Sequence, residues 1–557
     1  MGRPHAWEVH YPPGLDWGAP VPRGTLAGLL ARAVERFGGE SAFEFRGRRL
    51  SYDELGRRVE RLARGLAALG IGRGDAVGLL LPNTPVHPVS FFAIASLGAR
   101  VVHLTPLDPA RAILRKLDDS GARTLITTDL PGLLPHAMQA RAEGACERLI
   151  VAADGQWGEP SAGLGVPEGA LDWAALDWAA LDGSSLEPVA LGPDEVAVLQ
   201  YTGGTTGLPR AAMLTHGNLT AAVAIYNAWN QGRGRGVGPG DRVMCVLPLF
   251  HIYALTAVML RALDNGAELM LRMRFDGDAA LADIEQGRCT HFPGVPTMWI
   301  ALANHSRIAR ADLSSLEVCS SGGAALPAEV SARFAALTGV RLGGGWGMTE
   351  TSPAGTNLLE EGAFGPGEIG VPLPGVEMDV VATDDARRVL PPGEVGELRI
   401  RGPNVTPGYW QRPEENARAF VDGWFLTGDI GSMSGEGRFA IVDRKKDMLI
   451  SGGFNVYPRT IEDAIHEHPD VREAAVIGIA DPYRGQAAKA YVTLRDGAAA
   501  LTLEALRAFL ADKLGRHELP AALEIRDELP HTAVGKLAKR ELIAEQNSKL
   551  EERSAHG

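Results

Sequence analysis

The chain of 557 residues is 45% hydrophobic and 22% charged, and its formal charge is −13. That length allows ~3–4 domains or subdomains around a large core, in the compositional range of ordinary soluble globular proteins. Such an acidic balance excludes general nucleic-acid and anionic-membrane binding, so any bound anion must be met by local cations and backbone N–H groups.

The first elements alternate helix and strand. "TLAGLLARAVERFG" carries apolar residues at helical spacing behind Thr25, a good N-cap. "SAFEFRGRRLS" alternates as a hairpin turning near Gly47, and "SYDELGRRVERLARGLAALG" is an amphipathic helix between the cap Ser51 and Gly70. "DAVGLLLPN" and "RVVHLTPL" read as buried strands, and Val89–Ala99 as a buried helix too short to span a membrane. Alternation of this kind predicts a largely parallel α/β sheet. Residues 153–195 differ, being rich in Gly, Pro, Ala and Asp around the repeat "ALDWAALDWAALD". A five-residue period builds no single helical or extended face. A duplicated surface loop is expected, with a Trp-lined ligand site as the alternative.

"DEVAVLQYTGG" is a buried strand feeding the loop Tyr201–His216, "YTGGTTGLPRAAMLTH", and a helix is expected from near Thr215. The loop is not a Walker loop. Gly203 and Gly207 are four apart, and its first cation, Arg210, follows Leu and Pro. Gly203, Gly204 and Gly207 let backbone N–H groups turn inward, and Thr202, Thr205 and Thr206 add hydroxyls, a nest suited to phosphate. Val371 to Tyr409 reads as a small β unit with Pro and Gly turns. About 100 residues after "DRKKD" (443–447) have the size of a small domain, and the last dozen residues look like a frayed tail. The four cysteines, Cys146, Cys245, Cys289 and Cys319, form no C-x-x-C pair, so buried free thiols and a cytoplasmic setting are expected.

Five further stretches follow the loop in order: "SSGGAALP" (320–327), "GGWGMTE" (344–350), "GWFLTGD" (423–429), "DRKKDMLISGGFNVYP" (443–458) and "LPHTAVGK" (529–536). At these residues the chain resembles the adenylate-forming superfamily of acyl-CoA synthetases, nonribosomal adenylation domains and luciferases. It looks closest to bacterial fatty-acid and dicarboxylate CoA ligases. The resemblance implies an α/β fold. A large N-terminal domain, residues 1–443, would hold two α/β subdomains and a small β unit. A hinge at 444–446 would lead to a small mobile α+β domain at 447–557. It also implies ATP and coenzyme A as substrates, Mg²⁺ as cofactor, a small carboxylic acid as partner, and a homodimer as an open assembly state.

By resemblance, Thr202, Gly203, Gly204, Thr205, Thr206, Gly207 and Arg210 hold the ATP phosphates. Thr349 meets the α-phosphate and Glu350 coordinates Mg²⁺, a hard cation that favours carboxylate oxygen. Gly323, Ala324, Trp346 and Gly347 border the adenine, with Trp346 replacing the usual Tyr so that a ring is kept and a hydroxyl lost. Asp429 and Arg444 take the ribose. Lys446 is the pivot, Lys536 is carried to the α-phosphate, and Gly452, Gly453 and Phe454 line a pantetheine tunnel. His251 stands where the acyl pocket meets that tunnel. Gly343, Gly344 and Gly345 would leave room for a slender chain. The implied reaction joins a medium- or long-chain fatty acid to CoA through an acyl adenylate. A pimelate-like dicarboxylate is the alternative acid, although a second carboxylate needs a cation at the pocket end that sequence does not place. A ligase that loads a carrier protein and a non-catalytic nucleotide-binding relative also fit the same motifs. The apolar stretch Phe250–Ala254 lacks the Asp with which amino-acid-activating domains hold an ammonium group.

Overall fold

The computed structural model describes residues 5–158, 163–179, 189–202, 210–324, 328–359, 367–451, 454–481, 484–498, 500–531 and 537–555. Among them, two seven-stranded, mostly parallel sheets form the body of the molecule. In the first, the strands Ala76–Leu80, Arg100–His103, Thr124–Thr128 and Arg148–Ala152 are joined by helices. Val196–Thr202 adds to Arg100–His103 in parallel. The helix Val86–Ser96 behind this sheet is buried on every side through Ala95, matching its continuous apolar sequence.

The second sheet is built around Arg242–Cys245, Glu268–Leu271, His291–Gly294 and Val318–Ser321. Its far edge is supplied by the early hairpin Ser41–Phe45 and Arg48–Ser51, which pairs with Glu268–Leu271. The hairpin turns at Arg46 and Gly47, both with φ above zero (51° and 76°), the geometry that keeps two twisted strands together. Thr25 and Ser51 cap their helices as expected, accepting from Gly28 N at 3.0 Å and Glu54 N at 3.2 Å. All four cysteines are free and buried.

An antiparallel sheet follows, in which Trp424–Met433 lies between Gly396–Arg401 and Phe439–Arg444. From Leu449 a separate five-stranded sheet forms on the long hairpin Val471–Asp481 and Gly485–Leu494. It has its own apolar clusters, one around Ile461, Val476 and Leu506 and one around Tyr491 and Leu542. No helix among the described residues is long and apolar enough to cross a membrane.

Two expectations are corrected. The repeat is not wholly a surface loop. Its first two copies form the strand Leu171–Asp172 and the helix Trp173–Ala179. Trp173 is fully buried and donates to Ser90 Oγ at 3.0 Å, which also removes it from any ligand site. Docking against the helix Tyr52–Ala68 imposes a face that the repeat's own period lacks, so tightly that a Cβ on Gly65 would lie 2.7 Å from the Leu176 carbonyl. Residues 180–188 lie outside the described residues. The tail is helical, Lys539–Ala555, anchored by buried Leu542 and by Gln546, whose Oε1 accepts from Lys489 Nζ at 2.8 Å. The helix expected near Thr215 is borne out, and the segment before it is a regular element as well. A strand, Arg210–Thr215, pairs antiparallel with Val196–Thr202 before the helix His216–Gly232 begins behind its cap Thr215.

Candidate active site

Asp429 and Arg444 face each other across neighbouring strands, and this register brings Arg444 Nε within 2.6 Å of Asp429 Oδ1. Trp346 Nε1 donates to the other oxygen, Oδ2, at 2.8 Å. Replacing the usual Tyr therefore removes a hydroxyl but supplies an indole N–H to the same carboxylate. Asp429 is almost fully buried. The indole N–H and the guanidinium meet different oxygens and so fix the orientation of an acceptor-only carboxylate.

The neighbouring glycines have specific packing reasons. A Cβ on Gly347 would sit 1.4 Å from the Pro353 carbonyl, and one on Gly345 2.2 Å from that of Thr356. Gly344 is similarly closed by Ser321 O at 2.9 Å, whereas a Cβ on Gly343 would make ordinary contact with Cys319 O at 3.5 Å. All three thus face neighbouring backbone, which leaves no space for a side chain at Gly344 or Gly345 and only that of a methyl in contact at Gly343. Gly323 has φ 79°, and it and Ala324 are exposed.

Glu350 is buried in a short turn beside Thr349 and accepts from Tyr409 OH at 2.7 Å. Burial, reinforced by that carboxylate, holds the Tyr409 phenol above its ordinary pKa, so it stays a donor. Over the same ring, 4.6 Å from its centroid, lies the Arg210 guanidinium, whose Nη1 is 2.9 Å from Glu415 Oε2. The start of the loop is also tied down, because Tyr201 OH donates to Asp119 Oδ2 at 2.8 Å and Arg412 pairs with Asp119. Thr202 is half-buried at the loop's entry. Lys446 adds to this positive field. Burial lowers its pKa, with Arg444, Arg540 and Arg210 acting in the same direction and Asp447 opposing them.

His251 is set by two clamps. Asn83 Nδ2 donates to the carbonyls of Cys245 and Leu247 while Leu249 N donates to Asn83 Oδ1. Gln200 Nε2 donates to Phe250 O at 2.8 Å, and Gln200 Oε1 meets buried His103 Nδ1 at 2.9 Å. Beyond His251 runs a π-helix, Tyr253–Leu260. Its residues are buried except Tyr253 and Ala257, which with Arg261 form a partly accessible stripe at four-residue spacing. Tyr253 OH is 3.2 Å from Ser320 Oγ, and Gly322 packs on the same ring, so the stripe begins beside the 320–324 loop.

The structure therefore brings Trp346, Asp429 and Arg444 together, and places Glu350 beside Arg210 through Tyr409. Gly203, Gly204, Thr205, Thr206, Gly207, Gly452, Gly453 and Lys536 lie outside the described residues, as does the side chain of Phe454. Lys539, three positions beyond Lys536, is held by Glu462 Oε1 at 2.7 Å. Sequence reasoning missed Tyr409, Glu415, Asn83 and Gln200. The signal available for Tyr409 and Glu415 was "GYWQRPEE", an aromatic and acidic run at the end of the β unit.

Family models match most of the chain: "AMP-binding enzyme" over residues 30–410 and "AMP-binding enzyme C-terminal domain" over 460–536. The chain is 36% identical to a long-chain-fatty-acid–CoA ligase of Bacillus subtilis (strain 168), covering 97% of this chain and 98% of the relative. It is 39% identical to a feruloyl-CoA synthase of an Amycolatopsis species, over 89% and 94%. Among solved structures, ATP-bound MatB from Rhodopseudomonas palustris superposes with a TM-score of 0.82 at 28% identity, over 93% of this chain and 98% of that one.

Proposed function

We propose that this chain, which belongs to the AMP-binding enzyme family, joins an extended, medium- or long-chain fatty acid to coenzyme A. It is an AMP-forming acyl-CoA synthetase, an acid–thiol ligase that uses ATP and CoA. The substrate class is carried by one observation, the accessible stripe His251, Tyr253, Ala257 and Arg261. It follows an otherwise buried helix and carries no acidic side chain to hold an amino group.

In the first step a carboxylate oxygen attacks the α-phosphorus of ATP and pyrophosphate leaves. In the second, a thiol attacks the acyl carbon, AMP leaves, and the thiol proton passes to solvent. Both steps depend on positioning and on neutralising gathered negative charge. Asp429, oriented by Trp346 and Arg444, takes the ribose hydroxyls; Gly323, Ala324 and Gly347 border the adenine. Thr349 meets the α-phosphate. Arg210, Thr202 and the loop 203–207 take the departing phosphates. Lys536, carried by a small domain that pivots at Lys446, supplies charge in the first step, and the Gly452–Phe454 segment accommodates pantetheine in the second. His251 stands between the acid and the thiol.

The residues fit Mg²⁺. No group of three or more His, Cys, Asp or Glu able to cage an ion alone occurs among the described residues. Glu350 offers one buried carboxylate, already oriented by Tyr409, and Mg²⁺ is commonly held by one or two carboxylates plus substrate phosphates. The ion supplies Lewis-acid charge stabilisation to the phosphates.

Thioester formation from ATP, CoA and acetate, octanoate, decanoate, palmitate or cinnamate tests the proposal. Highest kcat/KM with decanoate or palmitate is expected. Turnover confined to acetate or to cinnamate would reject the extended-acid reading.

A further inference from the structure

Arg261 closes the accessible stripe opposite Tyr253. About two turns of the π-helix separate Arg261 from Tyr253, enough to run beside several carbons of an extended acid. A cation at this depth is unusual. The helix around it consists of Leu255, Val258, Met259, Leu260, Ala262 and Leu263, all fully buried. Arg261 Nε and Nη2 are inaccessible and make no hydrogen bond, and no ion pair to Arg261 occurs among the described residues. Burial lowers its pKa to about 10, so the guanidinium remains charged at neutral pH. The groups whose fields reach it are the phenols of Tyr226 and Tyr253 and the carboxylate of Asp241. Asp241 is engaged elsewhere, accepting from Thr290 Oγ1 at 3.0 Å and Gly238 N at 2.8 Å.

We propose that Arg261 is the specificity-determining floor of the acyl cleft and receives an oxygen-bearing far end of the acid, an ω-carboxylate above all. A methyl terminus would leave two buried donors without acceptors, which costs about 1–3 kcal/mol. A carboxylate would meet the guanidinium fork in two places. Arg261 has this role within the extended-acid reading above and narrows it from plain fatty acids to ω-oxidised ones. It supplies the pocket-end cation that a dicarboxylate requires.

The test compares kcat/KM for decanedioate and decanoate in the wild type, Arg261→Met and Arg261→Lys. The wild type favours the diacid. Arg261→Met lowers the diacid-to-monoacid ratio by roughly tenfold or more, through the acid's KM, with decanoate gaining. Arg261→Lys restores a diacid preference, which shows that the site still folds. An equal ratio in wild type and Arg261→Met overturns the proposal, as does a wild type that prefers decanoate. If neither ten-carbon acid forms a thioester, the extended-acid reading fails on its own. The same ratio is then read with 4-carboxycinnamate and cinnamate. No turnover of the carboxylated acid in either pair also overturns the role of Arg261.

Discussion

Arg210 Nη1 lies 2.9 Å from Glu415 Oε2, and the same guanidinium stacks on the ring of Tyr409. The cation that follows the proposed phosphate loop is therefore held from two sides by the protein itself. Both members of the ion pair are about 30% exposed (27% and 31%), so the pair itself contributes no more than about 1 kcal/mol. Glu415→Gln should accordingly raise the KM for ATP by less than about tenfold. Arg210→Ala should raise it further, because it also removes the proposed phosphate ligand, while Arg210→Lys should retain most activity through charge alone. Initial-rate kinetics at varied ATP decide this. Normal ATP kinetics in Arg210→Ala would leave the Arg only its packing role against Tyr409.

Trp346 and Asp429 make the second relationship that kinetics can probe. Trp346→Phe keeps an aromatic wall and deletes the 2.8 Å bond to a buried carboxylate. Hydrogen bonds to charged groups contribute about 1.5–3 kcal/mol. A rise of roughly tenfold or more in the ATP KM is expected, with the acid's KM little changed. A Trp346→Phe enzyme with unaltered ATP affinity would show that Arg444 alone orients Asp429.

Tyr409→Phe removes the donor to Glu350 without changing the ring beneath Arg210. The carboxylate loses its orientation but keeps its charge. The Mg²⁺ concentration for half-maximal rate should rise several-fold, and further in Glu350→Gln, measured by titrating Mg²⁺ at saturating ATP. Identical Mg²⁺ dependence in all three proteins would separate Glu350 from the metal.

Much of this site was legible because its residues sit in short local motifs. Thr349 and Glu350 follow one glycine-rich turn, and Asp429 and Arg444 sit in two consecutive strands, Trp424–Met433 and Phe439–Arg444, whose alternation is visible in sequence. What could not be read is long-range pairing. The hairpin 41–51 completes a sheet more than 200 residues away, and Arg210 meets Glu415 across a sequence separation of 205. The repeat at 170–182 misled for a related reason. Its own period specifies no face, and the burial of Trp173 is dictated by the Tyr52–Ala68 helix and Ser90 rather than by neighbours in sequence. Arg261 is plain in the sequence, but its position at the end of an accessible stripe depends on which side of the π-helix is covered.

The small domain carries a pH-sensitive anchor. Glu462 is buried, and burial pushes its carboxyl up to about 7, against the pull of Lys539 at 2.7 Å and of Val476 N at 2.6 Å. In the unfolded chain the same group titrates near 4.5. Between those values the folded chain binds more protons, so this group's contribution to stability is fullest below about 4.5. It falls as pH rises to about 7 and is level above it, the total change being about 3 kcal/mol. Glu462→Gln cannot ionise and should lose that slope. Above pH 7 it also deprives Lys539 of its partner, three residues from Lys536. Thermal unfolding of wild type and Glu462→Gln across pH 5 to 8 measures the difference directly. The wild-type Tm should drop relative to the variant as pH rises to about 7 and then run parallel. A constant difference across the range would mean that Glu462 ionises normally despite its burial.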